Sequence, residues 1–175
     1  MINFSKVFPK TASNEFDGPK VAVWGFIIFT ALMTWRAIIH MFFESYGFHD
    51  IANFKIITGE PDPMPIIYRF FSLWGSVQLL FCMVCWVVIF KYKSLIPLMY
   101  VFWLLEWGSR IFFYPIIRED IAIMGLYTNN ITPGVEFAPY IVILIASLVI
   151  SFITLFPVFI MKKKNGKHSE KSKKK

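Results

Sequence analysis

Four long stretches of apolar residues set the architecture of this chain, because each can cross the ~30 Å hydrocarbon layer of a bilayer as a helix. The predicted spans are residues 21–43, 66–90, 95–114 and 138–161. The 175-residue chain is 57% hydrophobic, whereas soluble domains are about 45–50% apolar. None of the four stretches shows the period-two alternation of a barrel strand. The sequence therefore predicts an all-α integral membrane protein that forms an antiparallel four-helix bundle.

The distribution of lysines predicts how this bundle is oriented. Lysines occur in an N-terminal arm (1–20), in the "KYKS" loop between the second and third spans, and in a tail (162–175). Four alternating helices place these three regions on one side of the four-helix domain (21–161), and the lysine bias assigns that side to the cytoplasm. Both termini are thus predicted to be cytoplasmic. The membrane is the inner membrane if the source is bacterial and an ER-type membrane if it is eukaryotic.

The net charge of +7 comes from the tail alone, which has eight lysines and one glutamate, while the remaining cations and acids balance. Lysines near a membrane surface attract anionic lipid by about 1 kcal/mol each. The tail has no aromatic residues between its lysines, as a nucleic-acid-binding segment would. We therefore predict the bilayer and its anionic lipids as partners, and no nucleic acid. The loop at 45–65 contains three prolines and is predicted to be turn and extended chain.

The clearest functional signal is a set of ionisable side chains in the outer halves of three predicted spans. The set is Arg36, His40, Glu44, Arg69, Glu106 and Arg110. A spacing of four puts the first three on one helix stripe, and Glu106 and Arg110 form an i,i+4 pair with the acid first. Since an ionised side chain in hydrocarbon costs about 2.5–3.5 kcal/mol, we expect these groups to face one another. With neutral histidine the set carries +1, which suits a small anionic or polar ligand.

Three functions are compatible with this set of residues. In the first, the set binds a small ligand and the protein acts as a carrier, a sensor or an accessory subunit. In the second, the same residues are structural ion pairs in an assembly subunit that packs against a membrane protein partner or a second copy, and Arg69 extends to the outer headgroups. In the third, the protein is a membrane enzyme acting on a lipid, with His40 or Glu106 as acid or base. The sequence assigns no catalytic residue.

Cofactor and metal sites are not predicted. His40 is the only histidine inside a span, whereas a diheme bundle requires histidines paired across it. Cys82 and Cys85 lie in continuous apolar sequence, where cysteines usually serve as small packing residues. His49 and Asp50 in the outer loop could join Glu44 at a metal site, but two or three ligands are a weak indication of one.

Four segments carry a resemblance to a known group of proteins: "RAIIHMFF…HDIANF", "FSLWGSVQLL", "KYKSLIPLMYVFWLLEWGSR" and "TPGVEFAPY". Together they cover roughly residues 36–140, and they resemble uncharacterised bacterial four-helix membrane proteins of the DoxX-like neighbourhood. The resemblance implies the same membrane fold and transfers no activity. DoxX itself is linked to a quinone-coupled thiosulfate oxidoreductase complex, but this sequence contains no recognisable redox centre.

Overall fold

The backbone is mostly helical in the residues that the computed structural model describes, which are 7–110, 113, 117 and 139–154, and these residues form no β-strand. The main helices are α1 (Lys20–Phe42), α2 (Met64–Lys91), α3 (Ile96–Gly108) and α4 (Pro139–Thr154). Each begins within two residues of a predicted span, so the all-α prediction is confirmed for the described residues. Outside the described residues lie most of 111–114, residues 132–138 of the segment "TPGVEFAPY", residues 155–161 of the fourth span and the tail 162–175.

Helices α1 and α2 are long and apolar enough to cross a membrane. Their 23 and 28 residues correspond to about 35 and 42 Å of helix. Large apolar side chains on the outward face of α2 are exposed along nearly its whole length: Ile66, Phe70, Leu73, Val77, Leu80, Val84 and Val87. An apolar surface of this extent is unusual on a soluble monomer and is typical of a helix that meets lipid or a partner.

Helices α1 and α2 are antiparallel and very close to each other. The Ser72 hydroxyl near the start of α2 donates to the carbonyl of Met41 near the end of α1, at 2.7 Å. Farther along α2, the indole N–H of Trp86 donates to Thr34 Oγ1 at 3.0 Å. Between these contacts, Gly75 leaves no room for a side chain, because a Cβ there would lie 2.7 Å from the backbone nitrogen of Met41.

Helix α3 runs parallel to α1. Near the start of both helices, the Tyr100 hydroxyl donates to the carbonyl of Ala22 at 2.6 Å. Farther along both helices, the rings of Phe29 and Trp103 meet edge to face, with centroids 5.0 Å apart. The backbone of α3 continues past Gly108 in a π-helical conformation through the next two residues.

Helix α4 completes the hydrophobic core at the N-terminal half of α1. Leu148 is buried among side chains of the other three helices. Ser151 lies so close to Gly25 of α1 that a Cβ on this glycine would be 2.5 Å from the Ser151 hydroxyl oxygen. The C-terminal part of α4 therefore lies beside the N-terminal part of α1.

The N-terminal arm is attached to the loop between α2 and α3. The backbone N–H of Ser13 donates to Ser94 Oγ at 2.9 Å, and the N–H of Ser94 donates to the carbonyl of Ser13 at 3.2 Å. Phe16 packs against the core next to them. The arm and the "KYKS" loop therefore lie at the same end of the molecule.

The segment between α1 and α2 occupies the opposite end, and the prediction of turn and extended chain is wrong for its first part. It contains a helical turn, Glu44–Tyr46, followed by a π-helical stretch, Gly47–Ile51. His49 holds this stretch in place: its Nδ1–H donates to the carbonyl of Phe54 at 2.8 Å, and its Nε2 accepts from the hydroxyl of Tyr68 at 2.6 Å. The carbonyl only accepts hydrogen bonds, which assigns the proton to Nδ1 in the neutral ring.

Candidate functional site

Two arginines from different helices share the same pair of tryptophan rings. The guanidinium of Arg36 lies 5.6 Å from the ring centroid of Trp74 on α2 and 5.4 Å from that of Trp107 on α3. The guanidinium of Arg110 lies 4.4 and 5.1 Å from the same two centroids. These distances are within the ~6 Å range of cation–π attraction, which is worth about 2 kcal/mol or more for a desolvated pair. We call these four residues the Arg–Trp cluster.

Glu106 supplies the negative charge next to the cluster. One of its carboxylate oxygens, Oε1, pairs with the guanidinium of Arg110 one helical turn later. The same oxygen accepts a hydrogen bond of 3.4 Å from the side-chain amide of Gln78 on α2. The second oxygen, Oε2, is buried and accepts no hydrogen bond from the described residues. The carboxylate therefore keeps one acceptor atom that the described residues do not use.

The pair of Arg110 and Glu106 forms the open edge of the site. Their side chains are 16% and 29% exposed, whereas Arg36 behind them is only 4% exposed. Arg110 and Glu106 are therefore the charged groups of the site that are most accessible to an approaching molecule. Gln78 is not among the predicted site residues, although a single amide in the middle of an apolar span can indicate a polar contact inside the bundle.

His40 lies beside the cluster and is completely enclosed. Its ring lies 4.7 Å from that of Phe71 and 4.9 Å from that of Trp74, measured between centroids. Neither ring nitrogen has a hydrogen-bond partner among the described residues. Leaving a buried polar group unpaired costs about 1–3 kcal/mol, so the burial of this imidazole lowers the stability of the folded protein.

The structure brings four of the six predicted site residues together and separates the other two. Arg36, His40 and Arg110 contact Trp74, and Glu106 joins them through its ion pair with Arg110. Glu44 does not continue the stripe of the first two residues, because α1 ends at Phe42 and the next residue has φ −130° and ψ 52°.

The two separated residues have different surroundings. Glu44 lies in the helical turn after α1, where it lines a groove together with Asp50. Arg69 is exposed on α2, as expected for a side chain that extends toward headgroups. Neither makes an ion pair within the described part of the chain.

In the described parts of the chain, we find no residues arranged for metal binding or redox chemistry. No group of three or more histidine, cysteine, aspartate or glutamate side chains is close enough there to hold a metal ion. Cys82 and Cys85 are both buried free thiols that are not joined in a disulfide. They pack within the core formed by the helices.

Comparisons of the chain with protein-family models, with curated proteins and with solved structures give no match. The resemblance to DoxX-like membrane proteins therefore stays a prediction.

Proposed function

We propose that this chain is a four-span membrane protein with both termini in the cytoplasm, and that its Arg–Trp cluster binds a small anionic ligand at the edge formed by Arg110 and Glu106. One observation carries the proposal: two guanidinium groups share the faces of Trp74 and Trp107 next to a single described carboxylate. Carrier, sensor and accessory subunit are the roles that such a site would serve.

The membrane part of the proposal rests on the outer surface and on the two ends of the molecule. The outward face of α2 is apolar over most of its length, which suits contact with acyl chains. The N-terminal arm and the "KYKS" loop lie at the same end, as a lysine-rich cytoplasmic side requires. Membrane spans for α3 and α4 complete the proposed bundle.

The ligand part of the proposal rests on charge. With His40 counted as neutral, the described site has two positive groups and one negative group, a net charge of +1. Charge attraction is much stronger in a low-dielectric interior than in water. A carboxylate or phosphate can form two parallel hydrogen bonds with a guanidinium, so such a group would compete with Glu106 for Arg110 at the open edge.

A second function is favoured by the burial of the inner residues. Arg36, His40 and Trp107 are almost completely enclosed. Such packing is also what a structural network needs if its only task is to hold α1, α2 and α3 in register. In this alternative the protein is an assembly subunit, and removal of Arg110 changes stability and partner contacts without affecting any ligand.

A thermal-unfolding titration separates the two functions. Protein purified in dodecyl maltoside would be heated with sodium phosphate, sulfate, acetate or succinate at constant ionic strength. We expect at least one anion to raise the unfolding temperature by mass action. Arg110→Gln should abolish this rise, and the matched variant Arg69→Gln, which removes an exposed arginine, should retain it.

Mass spectrometry of small molecules that co-purify with the protein extends the test beyond these four anions. A bound anion found with the wild type and with Arg69→Gln, but not with Arg110→Gln, supports the ligand site. The ligand proposal fails if Arg110→Gln responds to every anion as the wild type does and retains the same co-purifying molecules.

A further inference from the structure

A groove lies at the C-terminal end of α1, about two turns beyond Arg36. The last turn of α1 and the segment after it line this open groove, which has a volume of about 380 Å³. Its lining residues are Phe42, Phe43, Glu44, Ser45, Tyr46 and Asp50. We call it the aromatic–acidic groove.

Three aromatic rings of this groove are exposed although they are large. Phe42, Phe43 and Tyr46 are 61%, 61% and 53% exposed. None of them belongs to either hydrophobic core cluster, although Phe48, only two residues after Tyr46, does. Their ring surfaces are therefore available to a ligand.

The groove also contains two negative charges that nothing in the described part of the chain neutralises. Glu44 and Asp50 make no ion pair with a described lysine or arginine, and their carboxylates accept no side-chain hydrogen bond there. The structure thus places a charge of −2 next to exposed aromatic rings. These two negative charges would repel an anionic ligand. A purely apolar ligand would leave both carboxylates without a positively charged partner.

An organic ammonium group matches both features at once. The negative face of an aromatic ring attracts a cation, and quaternary ammonium groups are typically recognised by several rings together. Carboxylates add direct charge attraction. A divalent metal ion fits less well, because no group of three potential metal ligands occurs in the described residues.

We infer that the aromatic–acidic groove binds an ammonium group of the choline or ethanolamine type. Such a group has two sources, the headgroup of a zwitterionic phospholipid and a free organic cation. The recognition of ammonium rests on the groove alone. The phospholipid source also rests on the membrane topology proposed above, which places the end of α1 at an interface where aromatic residues are common.

Saturation-transfer NMR tests the recognition with choline as the probe. The full-length protein in dodecyl maltoside would be saturated in its aromatic region, and transfer to the methyl protons of choline would be measured. The uncharged isostere 3,3-dimethyl-1-butanol is the ligand control. We expect transfer to choline and little to the isostere. The double variant Glu44→Gln/Asp50→Asn should weaken choline binding by about tenfold or more, since two charge contacts are lost.

Two matched variants control for nonspecific effects. Glu60→Gln removes an acid from the same connecting segment but outside the groove, and Phe70→Ala removes an exposed ring from α2. Both should bind choline as the wild type does. Tyr46→Ala should weaken binding by about fivefold, the effect of one cation–π contact. Circular dichroism would verify that each variant is folded.

Native mass spectrometry with added lipids distinguishes the two sources. Phosphatidylcholine and phosphatidylglycerol with identical acyl chains would be compared for retention by the wild type and by the double variant. Preferential retention of phosphatidylcholine that the double variant loses supports a lipid headgroup, with or without binding of free choline. The inference is overturned if the double variant binds choline and phosphatidylcholine as the wild type does, or if the wild type prefers neither to its control.

Failure of this inference and failure of the anion proposal are distinguishable. The anion titration depends on Arg110, and the ammonium experiments depend on Glu44 and Asp50. Neither set of variants substitutes a residue of the other site.

Discussion

Gly75 of α2 lies against the backbone of Met41 in α1, with no space between the two helices for even a methyl group. Gly75→Ala should therefore force the helices apart and lower the free energy of unfolding by about 1–3 kcal/mol. Gly108→Ala is the matched control, because a Cβ there meets nothing within 4 Å. Thermal unfolding in the same detergent measures both, and equal stability of the two variants would contradict the close packing.

Trp74 of α2 connects polar residues of α1 and of the continuation of α3, because it contacts Arg36, His40 and Arg110. Trp74→Leu removes two cation–π contacts and the ring contacts with His40 and Phe71, and we expect a loss of about 2–4 kcal/mol of stability. Trp24→Leu removes an exposed indole and should change stability little. If both variants unfold at the same temperature, the shared ring does not stabilise the cluster.

Glu106→Gln separates ligand binding from a structural role by the direction of its effect. If an anion competes with Glu106 for Arg110, removal of the carboxylate charge should strengthen anion binding about three- to tenfold, equivalent to about 0.7–1.4 kcal/mol. The midpoint of the anion titration described above measures this change. A purely structural ion pair predicts lower stability and no gain in affinity, so a weaker or unchanged midpoint would count against the anion site.

The hydrogen bond between His49 and Tyr68 should hold the segment after α1 in place. Tyr68→Phe removes the hydroxyl and should cost about 0.5–1.5 kcal/mol. Hydrogen–deuterium exchange should become faster across residues 47–54 and remain unchanged in α3. Tyr92→Phe, a half-exposed tyrosine in the "KYKS" loop, is the control. Unchanged exchange at 47–54 would show that other contacts, such as the stacking of Phe48 on Phe54, suffice.

Helix positions could be predicted well from the sequence, because long apolar segments depend little on the rest of the chain. The pairing of Glu106 with Arg110 followed from helix periodicity in the same way. Glu44 was misplaced because periodicity assumes that a helix continues, and α1 instead ends at Phe42. The π-helical stretch that follows depends on contacts with α2, such as the hydrogen bond from Tyr68, which no local pattern encodes.

The sequence predicts on which side of α2 Arg69 lies only when the direction of another residue of this helix is known. Nine residues separate Arg69 from Gln78, and at about 100° per residue they lie on opposite sides of α2. Once Gln78 is known to face α3 and Gly75 to face α1, Arg69 must point outward, as observed. Without that reference, an arginine in a span is equally compatible with either face.

The paired hydrogen bonds between Ser13 and Ser94 join the two ends of the chain segment that contains α1 and α2. A protein shortened to begin at residue 20 would lose these hydrogen bonds, and the part of the core that Phe16 covers would become exposed. We therefore expect truncation at the start of α1 to loosen the hairpin of α1 and α2, on which both candidate sites depend.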